Sequence, residues 1–304
     1  MDIDLVYLWV DGSDRKWLKK KQGFLDKKIN TVGRYQNNEE LKYSLRSIEK
    51  HIPWVRKIFI VTDNQTPSFL DTNHSKIQII DHSEIIPDEY LPSFNSSVIE
   101  YFMYKIPGLS EFFLYSNDDM FINADLTPSF FFRNGLPIIR IKKNPYIKLK
   151  IQFKRALNLN VNNYRLAIEN AYTIFKKKFN VFFPFTPHHN IDAYLKSNLK
   201  TLVEDVFPEE LNKSFLNRFR QQNDIQRILI SYYSIFKKSG VMIIANRKES
   251  CRIKVHKTNY QKYIDKYNPK LFCLNDSEHA TDDDRKHVEP FLKKLYPEKS
   301  SFEK

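Results

Sequence analysis

Four apolar segments in the N-terminal part of the chain each end in an acidic or polar cluster, and this repetition restricts the possible folds more than any other feature. The segments span residues 4–10, 57–63, 77–80 and 111–115. Helical patterns lie between some of them, at 16–28 and 39–51. Strands that alternate with helices indicate a mostly parallel, doubly wound α/β sheet. Ligands of such sheets bind beyond the carboxyl ends of the strands, so we expect the acidic clusters to share one rim.

The rest of the chain predicts two further segments. After Gly135 the strand pattern fades, and residues 136–185 are expected to form a basic insertion. Apolar residues then recur at helical spacing in three stretches, at 191–206, 215–219 and 225–236. We therefore expect an α/β core at 1–135 and a C-terminal helical lobe at 186–304 that packs on the sheet and completes the site.

Composition indicates a folded chain. Its 304 residues include 41% hydrophobic and 14% aromatic side chains, which is enough apolar surface to form a core. No apolar run reaches the roughly 18 residues of a transmembrane helix, and the N-terminus lacks the pattern of a secretion signal. We therefore expect a cytoplasmic protein, with Cys251 and Cys273 as buried thiols and no structural zinc site.

The formal net charge of +13 predicts an anionic partner, for which nucleic acid, an anionic membrane face and a phosphorylated substrate are the alternatives. Residues 142–178 hold ten Lys and Arg side chains against the single acid Glu169. Interleaved apolar residues such as Tyr146 and Phe153 favour a surface for a membrane or a polyanionic glycan over a groove that reads nucleic acid. A solvated basic insertion is the other interpretation.

The triplet Asn117, Asp118 and Asp119 follows the fourth apolar segment, so its side chains should emerge from a rigid strand end. Carboxylates hold Mg²⁺ or Mn²⁺ through one or two ligands and leave the other positions to phosphate oxygens and water. Such a site suits a diphosphate substrate. The same pattern also fits a turn capped by an Asx side chain, and spacing alone does not separate the two.

Two further sets of residues are candidates for binding a substrate. Asp11, Gly12 and Ser13 form a glycine-permitted turn whose acceptors could bind a base or ribose, although an ordinary turn has the same pattern. Arg46, on the second predicted helix, could grip two phosphate oxygens with its planar fork. Lys42, on the same helix, is either a further phosphate contact or a solvated helix charge.

Two adjacent histidines are candidates for moving a proton. His188 and His189 precede a predicted helix, and a neutral imidazole there could take the proton of an incoming hydroxyl, with Asp192 or Asp224 to orient it. Histidines in this position are also common as plain surface residues. The remaining candidates are Arg218, Arg220, Asn275 and Asp276.

In this order, these residues resemble the Stealth family of bacterial capsular polysaccharide phosphotransferases, which is similar to the catalytic core of the animal lysosomal-enzyme N-acetylglucosamine phosphotransferase. Four blocks carry the resemblance, and together they span nearly the whole chain except the basic segment. The first block is VYLWVDGSD at 6–14. The second includes NEELKYSLRSIE at 38–49, LPSFNS at 91–96 and NDDMF at 117–121, the third includes HNID at 189–192, and the fourth is FCLND at 272–276.

The resemblance implies a nucleotide-sugar-binding, GT-A-like fold. It also implies transfer of a hexose-1-phosphate or N-acetylhexosamine-1-phosphate from a UDP-sugar to a glycan hydroxyl, with release of UMP. The implied acceptor is a capsular or cell-surface glycan, free or lipid-linked, at the inner face of the membrane. The implied cofactor is Mg²⁺ or Mn²⁺, and nucleic acid is not an expected partner.

Carried onto this chain residue by residue, the resemblance assigns roles to the candidates. Asp11 would hold the nucleotide, Arg46 the phosphates, His189 the acceptor proton and Arg220 the developing negative charge, with Asp224 as a further catalytic candidate. The candidate metal ligands are Asp118, Asp119 and Asp276. Further substrate contacts would come from Gly12, Ser13, Lys42, Asn95, Ser96, Asn117 and Asn275, the last of which closes the site from the C-terminal side.

One departure from the family pattern affects the choice of base. Related sequences often carry a second histidine three positions before the one matching His189, where this chain has Thr186. The displaced His188 is therefore the alternative base.

Two other functions are alternatives. One is a metal-dependent glycosyltransferase of similar architecture, which would release UDP. The other is a basic nucleic-acid-binding module, whose binding would depend steeply on salt. The sequence does not specify the sugar, the acceptor linkage or the oligomeric state, because sugar discrimination rests on a few pocket contacts.

Overall fold

The computed structural model describes residues 1–25, 38–144, 146, 153, 157, 161–277 and 279–304. Much of the basic segment at 142–178, and the end of the helix expected at 16–28, therefore lie outside the described residues. Within the described ranges, no helix combines the length and apolar composition needed to cross a bilayer.

Strands and helices alternate along the chain. The strands are β1 (Ile3–Leu8), β2 (Ile58–Thr62), β3 (Ile77–Asp81), β4 (Phe112–Asn117), β5 (Met120–Ile122), β6 (Phe132–Arg133), β7 (Leu136–Lys143), β8 (Phe185–Pro187), β9 (Asp192–Leu195), β10 (Val241–Ile244), β11 (Ser250–Lys254) and β12 (Leu271–Asn275). The α-helices are α1 (Arg15–Gln22), α2 (Glu40–His51), α3 (His82–Ile85), α4 (Ser96–Ile99), α5 (Asn163–Phe179), α6 (Lys196–Thr201), α7 (Pro208–Phe215), α8 (Ile228–Phe236), α9 (Tyr260–Tyr267), α10 (Asp282–Arg285) and α11 (Val288–Leu295). Short 3₁₀ turns lie at Asp88–Tyr90, Glu100–Lys105, Pro128–Phe130 and Val255–Lys257, and a π turn lies at Leu202–Val206.

The central sheet has the strand order β3-β2-β1-β4-β9. β1 to β4 run parallel, and β9 runs antiparallel to β4. Because parallel strands end at the same edge, the register brings Leu8 beside Asn117 and Thr62 beside Asp81. The prediction of a mostly parallel, doubly wound sheet is confirmed, and the segments after these strands share one rim.

The strands of this sheet are apolar on both faces because both faces are covered. In β1, Val6 packs with Phe113 on one face of the sheet. Leu5 and Tyr7 point to the other face, where α2 contributes Leu45. Each such fully buried side chain contributes about 1.5–3 kcal/mol relative to an exposed one. The site-bearing strand ends therefore stand on a rigid, close-packed support.

The C-terminal segment, expected as a helical lobe, also contributes strands. β9 pairs with β4 and β12 pairs with β5. The helix expected at 191–206 begins as strand β9 and becomes helical only at Lys196. Four residues of strand are too few to show an alternation that separates them from the helix that follows. Strand pairing therefore crosses the expected segment boundaries, and the segments share sheets.

Two other sequence predictions were wrong in detail. The strand pattern does not end after Gly135, because β7 follows at once and pairs with β6, β8 and β10. Its apolar run is interrupted by Arg140, which is buried over the ring of Phe130 at 3.7 Å. The helix expected at 215–219 is instead a loop that follows α7. The side chain of Asn95 donates to two backbone carbonyls of this loop, those of Asn217 and Phe219.

A buried aspartate fixes the start of the central sheet. The carboxylate of Asp4 accepts two hydrogen bonds from the guanidinium of Arg56, at 2.9 and 2.6 Å. It also accepts backbone N–H groups of Lys57 at 3.2 Å and Ser110 at 2.7 Å. These residues precede β2 and β4, so one side chain ties the N-terminal ends of three adjacent strands together.

Replacing Asp4 by Ala should destabilise the fold, because the guanidinium and two backbone donors would lose their acceptor. We expect the free energy of unfolding in urea to fall by about 3–5 kcal/mol. Asp2→Ala, at the exposed neighbouring aspartate, is the matched control and should change it by less than about 0.5 kcal/mol. Equal effects of the two substitutions would contradict this role of Asp4.

Candidate active site

Three carboxylates crowd together at the C-terminal end of β4. Asp118 and Asp119 follow the strand, and Glu40 lies close to both from the first turn of α2. Burial raises the pKa of Glu40 to about 7, and the charge of Asp119 adds to the rise. Burial also raises the pKa of Asp118 well above its usual range, and the charges of Glu40 and Asp119 add to it. The raised pKa values show that nearby positive charge does not offset the burial and mutual repulsion of these carboxylates.

This carboxylate cluster fits a divalent cation. Asp119 Oδ1 is buried and has no hydrogen-bond partner within the described ranges, so one acceptor in the cluster is left for a ligand. Carboxylate oxygens are ligands that Mg²⁺ and Mn²⁺ prefer. A cation between Asp118 and Asp119 would also offset their repulsion with Glu40. Glu40 was not among the residues expected at the site, since in the sequence it is one of two adjacent glutamates on a helix.

The third expected metal ligand, Asp276, is neutralised by an arginine instead. Its Oδ2 accepts from Nε of Arg285 at 2.7 Å, and its Oδ1 accepts from Nη2 of Arg285 at 3.2 Å and from the backbone N–H of Ser277 at 2.6 Å. These contacts give Asp276 the role of fixing the segment after β12. Asn275, the last residue of β12, lies opposite Lys254 of β11.

A histidine and a thiol face Asp119. His189 Nε2 lies 3.7 Å from Asp119 Oδ2, and Cys273 Sγ donates to the same oxygen at 3.1 Å. The antiparallel pairing of β12 with β5 brings Cys273 opposite Met120 and thus beside the cluster. His189 Nε2 has no hydrogen-bond partner in the described part of the chain. An unpartnered imidazole nitrogen beside the carboxylates can take a proton from a hydroxyl.

His188 lies in a cationic environment. Burial lowers its pKa to about 3, and the positive charge of Lys142 adds to this effect, as do those of Arg140 and Arg252. A nitrogen with so low a pKa is a weak base at neutral pH. Of the two histidines, His189 is therefore better suited to accept a proton.

Asp224 does not orient the imidazole but fixes a loop. Its buried carboxylate accepts from the side chains of Asn95 at 3.1 Å and Asn217 at 2.7 Å, and from the backbone N–H of Gln221 at 3.1 Å. Asn95 is fully buried in the same network, so it supports the loop rather than facing a substrate. The loop that these residues hold carries Arg220.

A cavity of about 180 Å³ opens beside the carboxylate cluster. Arg220 lines it, and its Nη2 donates to Ser96 Oγ at 2.8 Å, which holds the guanidinium in place. A carboxylate and a guanidinium on one cavity can bind a phosphate together with its cation. The lining residues that matter for this interpretation are Asn117, Asp118, Ser96, Arg220, His82, Trp9 and Trp17.

A second, more polar cavity of about 490 Å³ is lined by Asp11 and, like the first, by Trp9 and Trp17. Asp11 Oδ1 accepts from the backbone N–H of Ser13 at 2.8 Å and from its hydroxyl at 2.7 Å. This is an Asx turn around Gly12. The hydrogen bonds of this turn are those of an ordinary Asx turn. Asp11 also lines a cavity that is large enough for part of a ligand.

Arg46 and Lys42 both form ion pairs, and neither is among the residues that line the two cavities. Arg46 donates from Nε and Nη2 to the two carboxylate oxygens of Glu303, each at 2.7 Å, and from Nη1 to the backbone carbonyl of Tyr296 at 2.9 Å. Lys42 pairs with Glu39 at 2.9 Å. The guanidinium of Arg46 thus holds the C-terminal residues, and Lys42 pairs with Glu39, which itself lines the larger cavity.

A buried polar network behind the cluster was not predicted. Tyr115 donates to Glu100 Oε1, and its hydroxyl lies 2.7 Å from Asn117 Oδ1. Glu100 Oε1 also accepts from Arg227 Nη1 at 2.9 Å. Asn117, expected to contact substrate, is thereby oriented from behind while it lines the smaller cavity. Nothing in the sequence around Glu100 or Arg227 indicates that these two residues pair, because they are distant along the chain and belong to no common motif.

Together, these features define an α/β protein whose candidate site lies on the carboxyl rim of a parallel sheet, and its relatives identify it as a transferase. The chain belongs to the Stealth family. Residues 1–29 match the family model for Stealth protein conserved region 1, and residues 34–138 match that for conserved region 2.

Curated relatives cover most of the chain. It is 32% identical to the exopolysaccharide phosphotransferase cps2G of Lactiplantibacillus plantarum, over 100% of this chain and 96% of that protein. It is 36% identical to the capsular polysaccharide phosphotransferase fcs1 of Haemophilus influenzae, over 90% and 78% of the two chains. It is 32% identical to the capsular polysaccharide phosphotransferase WcwK of Streptococcus pneumoniae, over 100% and 99%.

Among solved structures, the galactosyltransferase LgtC gives a TM-score of 0.49 at 11% sequence identity, over 98% of this chain and 96% of that chain. A similarity at this level does not bear on substrate or activity.

Substituting Arg46 by Met separates its two interpretations. Because Glu303 would lose its bidentate partner in a buried setting, we expect the free energy of unfolding to fall by about 3 kcal/mol, with the KM for the donor unchanged. Lys42→Met, on the same helix, is the control and should change stability little. A raised KM at unchanged stability would instead support the phosphate contact.

Proposed function

We propose that this chain transfers a sugar-1-phosphate from a UDP-sugar to a hydroxyl of a capsular or cell-surface glycan and releases UMP. The observation that carries the proposal is the placement of two pairs of side chains, each with one carboxylate and one basic group. Asp118 and Arg220 line one cavity and suit a diphosphate, and Asp119, next in sequence, lies beside His189, which suits an incoming hydroxyl. The relatives named as capsular and exopolysaccharide phosphotransferases support the same substrate class.

In the proposed reaction, the acceptor oxygen attacks the β-phosphorus of the donor. A new P–O bond forms to the acceptor, and the bond from that phosphorus to the oxygen bridging the two phosphates breaks. UMP leaves with the electron pair of that bond. His189 Nε2 takes the proton that the hydroxyl loses. The product is a phosphodiester that joins the sugar to the acceptor.

The remaining residues stabilise charge and position groups. Arg220, steadied by Ser96, offsets the negative charge on the transferred phosphoryl group, which is the main requirement in phosphoryl transfer. Asp118 and Asp119 would hold Mg²⁺ or Mn²⁺, and a bound ion supplies Lewis-acid stabilisation of the diphosphate. His188, whose pKa is lowered by burial to about 3, stays neutral at physiological pH and transfers no proton in this scheme.

We assign the nucleoside and the acceptor to different parts of the surface. The larger cavity, with Asp11 and its turn, would bind the nucleoside of the donor. We place the reaction at the cytoplasmic face of the membrane, with a glycan or lipid-linked glycan as acceptor. The net charge of +13 supports contact with anionic lipid or a polyanionic glycan, and the basic segment at 142–178 is the proposed contact, with no role for nucleic acid.

The released nucleotide tests the proposal directly. The full chain is incubated with UDP-N-acetylglucosamine or UDP-glucose, Mg²⁺ and a capsular oligosaccharide, and the nucleotides are separated. We expect UMP in proportion to the phosphodiester formed. Release of UDP without UMP would identify a glycosyltransferase instead. Salt-dependent binding of DNA without any turnover would identify a nucleic-acid-binding module.

Substitution of the two histidines should separate their roles. We expect His189→Ala to lower kcat by about 10²–10⁴-fold, because proton removal is lost, while the Kd for UMP stays unchanged. His188→Ala should lower kcat much less and mainly affect thermal stability, since this ring is buried. The reverse order of the two effects on kcat would make His188 the base.

Loss of a metal ligand should abolish turnover. We expect Asp119→Asn to reduce kcat by more than about 10²-fold and to raise the Mg²⁺ concentration needed for half-maximal donor binding. EDTA should inactivate the wild-type protein reversibly. The matched control is Asp125→Asn, at an exposed aspartate that pairs with His51. Full activity of Asp119→Asn in EDTA would remove the metal from the proposal.

A further inference from the structure

Four buried polar atoms without partners lie at the ends of β2 and β3. They are Thr62 Oγ1, Asp63 Oδ2 and both ring nitrogens of His82, none of which has a hydrogen-bond partner among the residues that the structure describes. Thr62, Asp63 and His82 are 1%, 6% and 3% exposed. Leaving buried donors and acceptors unpaired costs stability. Four such atoms on two neighbouring strand ends therefore indicate a place where a ligand completes the hydrogen bonds.

Two of these residues line the two cavities of the site. His82 lines the smaller cavity, which also contains Asp118 and Arg220. Asp63 lines the larger cavity, which also contains Asp11. The rings of Trp9 and Trp17 line both cavities and so form a common wall. A ligand with its phosphates at Arg220 can therefore extend its other end toward Asp63 and His82 along this aromatic wall.

The unpartnered atoms have a defined hydrogen-bonding character. Asp63 Oδ1 forms an ion pair with Lys20 Nζ at 2.5 Å, so Oδ2 is the carboxylate oxygen left to accept from a ligand. Burial lowers the pKa of His82 to about 4, so its ring is neutral and offers one N–H donor and one acceptor. An acceptor oxygen next to a ring N–H matches a ligand edge that presents a donor beside a carbonyl.

We infer that Asp63 and His82, with the Thr62 hydroxyl, bind the imide edge of the donor's uracil and select it against cytosine. Asp63 Oδ2 accepts from the base N3–H, and the ring N–H of His82 donates to the adjacent carbonyl. Cytosine carries an acceptor at N3, which would face the carboxylate and be rejected. The inference rests on the proposed function only in taking a nucleotide as part of the substrate.

Nucleotide binding to the full chain tests this assignment without any turnover. We measure the Kd of UMP and of CMP by calorimetry, with Mg²⁺ present. For the wild-type protein, we expect UMP to bind at least about tenfold more tightly than CMP. For Asp63→Asn, whose amide can also donate to cytosine N3, we expect the CMP-to-UMP ratio of Kd values to fall close to one.

Two further variants keep the test independent of folding damage. Lys20→Met removes the ion pair of Asp63 but keeps its carboxylate, so we expect the preference for UMP to persist. His82→Gln keeps an N–H donor and should weaken UMP less than His82→Phe, with both checked for folding by circular dichroism. Retained preference in Asp63→Asn, or equal UMP and CMP affinities in the wild-type protein, would overturn the inference.

The outcomes also separate this inference from the proposed function. If the wild-type enzyme releases UDP but still prefers UMP over CMP through Asp63, the proposed reaction fails and the base recognition stands. If it releases UMP but binds UMP and CMP equally, the reaction stands and the base recognition fails.

Discussion

A single buried guanidinium holds the two halves of the site in register. Arg227 donates from Nη1 to Glu100 and from Nη2 to Asp192, each at 2.9 Å. A buried charge is tolerated only when it is paired, and removing one partner strands the others. Glu100 lies in the N-terminal part of the chain, whereas Asp192 begins β9, three residues after His189. The approach of His189 to Asp119 therefore depends on this ion pair between segments that are distant in sequence.

Charges of like sign are grouped at the site. The carboxylates of Glu40, Asp118 and Asp119 lie close to one another, whereas the cationic side chains of Lys142, Arg140 and Arg252 act on His188. Burial lowers the pKa of Arg140 to about 10, which leaves it charged at neutral pH. An anionic acceptor is attracted by the cationic side chains, whereas the carboxylates repel it unless a cation is bound.

The sequence predicted those parts of the fold that local pattern determines. The first four strands and their common rim followed from apolar runs that end on acids, and the rim could be placed because parallel strands must end together. β7 was missed because the buried Arg140 interrupts its apolar run. β9 was missed because four residues are too few to show the alternation of a strand. The pairing of Arg46 with Glu303 and the loop-fixing role of Asp224 depend on contacts across more than a hundred residues of chain or on loop geometry, which no spacing reports.

The order of the strands gives the direction in which the donor would lie. Passing along the rim from β3 to β9, the candidate residues beside the strand ends are His82, Asp63, Asp11, then Asp118 with Asp119, and finally His189. Neighbouring strands are about 4.8 Å apart, so β3 and β4 are separated by roughly 14 Å, which is the scale of an extended nucleoside diphosphate. In the proposed reaction, a base bound at β3 and β2 would leave the diphosphate at β4 and the sugar-bearing phosphorus next to His189. The spacing of the parallel strands would then set the distance between the proposed base site and the proposed site of phosphoryl transfer.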